Sequence, residues 1–196
     1  MSGASTEHHD PSVAFESAKL GLWTFLATEV LLFGALFTAY TVFRMKYPEL
    51  FRVEHAKLDR VLGAVNTVVL ITSSFTVVLG IDAIKRGKAR LLEVCYGATI
   101  LLAAVFLCVK YVEYSAKFHH GLYPHTNLFF SLYFMMTGLH GIHVLLGMGL
   151  LSYVIVLSRR GRLSASYYTP AEMSGLYWHF VDLVWIYLFP LLYLLG

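Results

Sequence analysis

Five apolar runs, residues 20–43, 61–84, 92–114, 128–157 and 173–195, fix what this chain of 196 residues can become. Crossing a hydrocarbon core of about 30 Å takes roughly 20 residues in a helix, and each run reaches that length. With no water at that depth, a lipid-exposed backbone must satisfy itself internally, as a helix does. The connections between the runs are too short to enclose a core of their own. With 58% hydrophobic and 14% charged residues and a mean hydropathy of +0.65, the sequence reads as an all-α, polytopic transmembrane bundle of five helices. Residues 1–18 form a polar N-terminal tail and residues 19–196 one transmembrane domain. Residues 1–11 lack the charged and apolar regions of a secretory signal, so insertion is expected to rely on the first run. No basic, aromatic-interleaved surface points to nucleic acid.

Against this background the polar residues inside the runs stand out. A charged side chain near a bilayer centre costs about 2.5 to 3.5 kcal/mol on insertion scales, so such residues turn toward protein or a wet cavity. Glu29 lies about nine residues into the first run, roughly 14 Å deep at 1.5 Å per residue. The fifth run carries His179 and Asp182. Trp178, Asp182 and Trp185 follow at i, i+4 and i+7 and share one helical face, with His179 on its edge. The expected arrangement has Glu29 and Asp182 facing one another across a cavity, His179 beside them.

Other spans offer partners for such faces. The second contains Asn66, Thr67, Thr72, Ser73 and Ser74, small hydroxyl and amide residues that let helices approach and hydrogen-bond across an interface. The fourth carries His140 and His143 at i, i+3 among Gly138, Gly141 and Gly147. These histidines are expected to bridge helices, the other reading being ligation of a haem or metal. Glu113, with Lys110 three residues before and Lys117 four after, has the spacing of an ordinary ion pair on a helix surface. His119, His120 and His125 lack carboxylate or thiolate partners at ligand spacing and read as a solvated loop. Cys95 and Cys108 are thirteen positions apart on one helix, about 20 Å, too far to bridge.

Taken together, Thr28-Glu29-Val30, Asn66-Thr67 with Ser73-Ser74, Glu113-Tyr114, Thr137-Gly138-Leu139-His140-Gly141-Ile142-His143 and Trp178-His179-Phe180-Val181-Asp182-Leu183-Val184-Trp185 resemble subunit III of the haem-copper terminal oxidases. The resemblance runs from about Lys19 to Gly196 and is to the five-span bacterial form, without the first two spans of the mitochondrial type. It departs in the second span, where Val77 to Gly80, Ile81 and Asp82 replace a Trp and His often found after the serines. The resemblance implies a non-catalytic subunit of a respiratory cytochrome c oxidase. Such a subunit holds no haem, copper or other metal and has no catalytic residue of its own. It packs directly on subunit I, with subunit II and a small subunit IV in the same complex, where haem and copper reside. It also implies structural phospholipid, with Glu29, His140, His143, Trp178, His179, Asp182 and Trp185 forming the polar network of a lipid cleft, and Glu113 and Tyr114 a motif at the outer end. Support of proton uptake and of stability during turnover follow from the same likeness.

The basic residues divide eight to seven between the two sides. The uninterrupted basic turns at residues 85–90 and 159–162 carry most weight under the positive-inside rule, so the N-terminus is expected in the cytoplasm of a bacterium and the C-terminus outside. The alternatives are an accessory subunit of a quinol oxidase or nitric oxide reductase, a membrane haem-b carrier using His140, His143 or His179, and a small proton or solute transporter using Glu29 and Asp182.

Overall fold

In the computed structural model, residues 11–195 are described, with the side chains of residue 17 and residues 19–195. The expected tail lies in part outside the described residues, and the first helix starts at Pro11. The described elements are α1 (Pro11–Lys46), α2 (Pro48–His55), α3 (Arg60–Lys85), α4 (Ala89–His119), α5 (Leu128–Arg159) and α6 (Thr169–Phe189), closed by a π-helical turn (Pro190–Leu194). Five of them, α1, α3, α4, α5 and α6, are long and apolar enough to span a membrane. The chain is an all-α, five-span membrane protein, as its apolar runs require.

The segment between the first two spans is not plain loop. Pro48 ends the preceding helix, but at the first position of α2 its missing N–H costs nothing and its fixed φ starts the new turn. The short helix then turns Phe51, Glu54 and His55 into the protein. Asp59 follows as the cap of α3, its carboxylate accepting from the amides of Val61 and Leu62 at 2.9 and 3.1 Å. Asn127 caps α5 in the same way through the amide of Phe130. At the opposite end of the bundle, α3 and α5 stop at Gly87 and Gly161. Both glycines take positive φ, 73° and 67°, a conformation that lets the following amide reach back to a carbonyl of the last turn.

The packing is uneven. Helices α3, α4, α5 and α6 form a four-helix core, while α1 leans on α5 and α6 at its edge. Of the most apolar stretch of each span, 56% of residues are buried in α6 but only 11% in α1. The core is aromatic, with Trp178, Trp185, Tyr96, Phe106, Tyr133 and Tyr193 almost wholly buried. Small residues admit these rings: a Cβ on Gly147 would stand 2.8 Å from the Trp178 ring, and one on Gly80 2.8 Å from Tyr96. Cys95 and Cys108 are both free thiols.

Candidate functional site

Helix α6 carries most of the residues singled out in the sequence, and three of them meet the hydroxyl ladder of α3. The indole N–H of Trp178 donates to Ser73 Oγ at 3.1 Å and that of Trp185 to Thr67 Oγ1 at 3.0 Å. Between these rungs, His179 Nδ1 lies 2.7 Å from Ser74 Oγ. Asp182 is buried beside the same Ser74 hydroxyl, and its Oδ1 has no hydrogen-bond partner among the described residues. The face that helical spacing defines therefore exists, and the hydroxyls of the second span are its counterpart.

Glu29 takes a different partner from the one expected. Instead of facing Asp182, its Oε2 lies 2.9 Å from Nε2 of His143 on α5. The other ring nitrogen, Nδ1, lies 2.8 Å from the carbonyl oxygen of Leu139 one turn back. A carbonyl only accepts, so Nδ1 carries a proton. The Nε2 to Oε2 contact then holds one further proton, whether drawn as carboxylic acid and imidazole or as carboxylate and imidazolium. Either form is neutral as a pair, which is how an acid and a histidine remain inside an apolar bundle. Phe33 packs edge-on against the imidazole at 5.2 Å, and Tyr177 donates its hydroxyl to the His143 carbonyl at 3.2 Å. The pair joins α1 to the core where α1 is otherwise lightly held.

His140 does not pair across helices as expected. It is fully buried, neither ring nitrogen has a partner among the described residues, and its ring lies 5.2 Å from Trp185 and 5.5 Å from Phe106. It forms part of an aromatic layer. No group of three His, Cys, Asp or Glu side chains converges as a metal site among the described residues. His119, His120 and His125 are exposed, as a solvated loop implies.

Glu113 overturns the reading of a surface ion pair. The spacing is right, with Lys110 Nζ 2.8 Å and Lys117 Nζ 2.9 Å from its carboxylate, but all three residues are buried, Glu113 to 3% exposure. The hydroxyls of Tyr133 and Tyr193 donate to Glu113 Oε1 at 2.9 and 2.7 Å, and Lys110 also donates to both tyrosines. Lys110 further lies 5.2 Å over the Trp185 ring. Tyr114 bonds through its hydroxyl to Thr137 on α5. Sequence reasoning missed Tyr133, Tyr193 and the burial. The usable signal was the clustering of three charges, Lys110, Glu113 and Lys117, on one helical face at the end of an apolar run.

The sequence as a whole is similar to known proteins. A sequence model of cytochrome c oxidase subunit III matches residues 1–196. The chain belongs to the cytochrome c oxidase subunit III family. A cytochrome c oxidase subunit 3 from Thermostichus vulcanus is 41% identical over 177 residues, covering 90% of this chain and 86% of the relative. That of Bacillus sp. (strain PS3) is 32% identical, over 90% of this chain and 85% of the relative. A quinol oxidase subunit 3 from Bacillus subtilis is 31% identical, over 90% and 86%. The chain is thus subunit III of a haem-copper oxidase, an integral membrane protein with bacterial relatives, and as such implies a complex with other oxidase subunits.

Proposed function

We propose that this chain is the non-catalytic subunit III of a bacterial cytochrome c oxidase, packed directly on subunit I and holding structural phospholipid that supports proton uptake and prolongs turnover. Cytochrome c as donor is favoured by the 41% identity with the Thermostichus vulcanus subunit, while the Bacillus subtilis relative keeps a quinol oxidase as the second reading. Haem and copper belong to the partner subunits. The observation that carries the reading is the Glu29–His143 pair at the open edge of the bundle. It is a directional contact, neutral as a pair, that holds α1 to the core. Helix α1 leaves most of its apolar stretch outward, with Trp23, Leu31 and Val30 more than half exposed. Such a face suits a lipid or another membrane helix. The complex would lie in the cytoplasmic membrane with the start of α1 on the cytoplasmic side. The basic turns at residues 85–90 and 159–162 support this, since they share that end of the bundle.

The test is extraction in mild detergent followed by assay. We expect this chain to be recovered with a larger subunit carrying two haems and copper. In the purified complex, Glu29→Ala should leave the haem spectrum and initial oxygen consumption nearly normal, lower the retained phospholipid and shorten the active lifetime in sustained turnover. Loss of the first turnover with lipid retained would place Glu29 on an obligatory proton path and overturn the accessory role.

A further inference from the structure

Two polar side chains in the four-helix core stand apart from the networks around them. Asn66 on α3 and His140 on α5 are both 0% exposed. Neither the amide nitrogen and oxygen of Asn66 nor the two ring nitrogens of His140 has a hydrogen-bond partner among the described residues. A dry amide or imidazole has given up its hydration without return, and buried polar groups in folded proteins almost always avoid that cost by finding a partner.

The two lie in one layer of the bundle. Antiparallel α3 and α4 bring Gly80 against Tyr96, and the Thr99 hydroxyl within 3.5 Å of the Ser73 carbonyl; the same register carried along both helices sets Asn66 level with Phe106. The next residue, Thr67, accepts from the Trp185 indole at 3.0 Å, and Gly63, one turn away on the buried face that Asn66 shares, is packed against Phe189 and Tyr193. His140 enters the layer from α5, its ring centroid 5.5 Å from that of Phe106 and 5.2 Å from that of Trp185. Phe106 and Trp185 themselves meet at 4.8 Å. The layer thus holds a polar group on α3 and another on α5, with aromatic rings from α4 and α6 beside them.

Complete burial restricts what can satisfy these groups. A neighbouring subunit cannot reach them, because this chain encloses both. A cation is unsuited: no His, Cys, Asp and Glu side chains converge as a metal site among the described residues, and the Lys110 ammonium stands 5.2 Å from the same Trp185 ring. An anion would need donors to spare, and those of Lys110 go to Glu113, Tyr133 and Tyr193. Water is small and neutral, and it both donates and accepts. An amide side chain offers donors and an acceptor, and a neutral imidazole one of each, the complement that an enclosed water molecule requires.

We propose that the Asn66–His140 layer is an internal hydration site, in which ordered water bonds to both side chains and links α3 to α5. The site is independent of the lipid and turnover roles proposed above.

The test uses the whole oxidase complex and turns on the sign of a substitution. In a dry layer each unpartnered group is a pure penalty, so His140→Leu or Asn66→Val would stabilise subunit III. In a hydrated layer either change strands the water and the group across from it, and destabilises; the double variant leaves no polar group there and recovers most of the loss. We expect each single variant to release subunit III about tenfold faster on heating in detergent, and the double variant to stay within about threefold of the unaltered complex, with the haem spectrum the same in all. A high-resolution density map of the unaltered complex should show water within hydrogen-bond distance of both Asn66 and His140. Single variants as stable as the unaltered complex, or more so, would overturn the proposal, and so would additive losses in the double variant. If a variant fails to assemble, the map decides, and a layer without water density overturns the proposal.

Discussion

Glu29 and Glu113 are both glutamates inside spans, and both are held by basic side chains, yet they are built differently. Glu113 is closed in by Lys110, Lys117, Tyr133 and Tyr193, drawn from α4, α5 and the final π-helical turn. Glu29 has one hydrogen-bond partner among the described residues, His143, and stands on the span with least burial. The first acid ties three elements of the core together and is fixed by many contacts at once. The second is one contact at an edge, where α1 meets whatever covers its outward face. One site is scaffold, and the other is an attachment whose loss the core survives.

The contrast is sharpest in a pair of matched substitutions. Glu113→Gln leaves two buried ammonium groups without a carboxylate, and breaking a buried charge set in this way costs about 3–5 kcal/mol. We expect the complex to lose subunit III on purification or to unfold at markedly lower temperature, read by differential scanning fluorimetry. A Glu113→Gln complex as stable as the unaltered one would break the comparison.

A packing change should fall between the two acids. Gly147→Ala would place its Cβ 2.8 Å from the buried Trp178 ring, and overpacking of this kind costs about 1–3 kcal/mol. The expected result is a smaller drop in thermal stability with the α1 attachment unaffected, checked by the same scan and by protease accessibility of α1.

At the edge, Glu29→Ala leaves His143 Nε2 without its partner, a loss of about 1–3 kcal/mol, localised to α1. Glu29→Gln keeps an N–H that donates to Nε2, and should change stability by less than about 1 kcal/mol. Hydrogen exchange along α1 separates the two. If Glu29→Gln destabilised as strongly as Glu113→Gln, the pair would carry net charge and the two sites would be alike.

The smallest effect concerns α2, whose His55 meets the backbone of Tyr193, a member of the Glu113 cluster. His55 is 2% exposed and lies against the backbone of Tyr193. Burial, followed by the charge of Arg60 and, more weakly, Arg44, holds its pKa below the ordinary 6.5, while the Tyr193 backbone contact partly opposes this. With a lowered docked pKa, the stabilisation is fully present above about 6.5. It falls as pH drops through that value, because the released imidazole gains a proton that the docked one refuses. Protection of the α2 amides, taken relative to the intrinsic exchange rate at each pH, should therefore fall from about pH 7.5 to about 5.5, and His55→Phe should remove the dependence.

Much of the fold was legible because span length and hydropathy are local properties: five runs of sufficient length give five helices. Helical spacing also placed Trp178, Asp182 and Trp185 on one buried face and marked the α3 hydroxyls as its counterpart. Local pattern could not say which helices touch. That Glu29 meets His143 and not Asp182 depends on α1 leaning on α5 and α6, and depth along a helix does not fix the direction in which a side chain points. The same applies to Lys110, Glu113 and Lys117, whose i, i+3 and i+4 spacing is identical on a wet surface and in a core. Only the approach of Tyr133 and Tyr193, 20 and 80 residues further along the chain from Glu113, removed them from water. Sequence determined which groups needed partners, and tertiary packing decided which partners they have, because desolvation belongs to the neighbours and not to the residue.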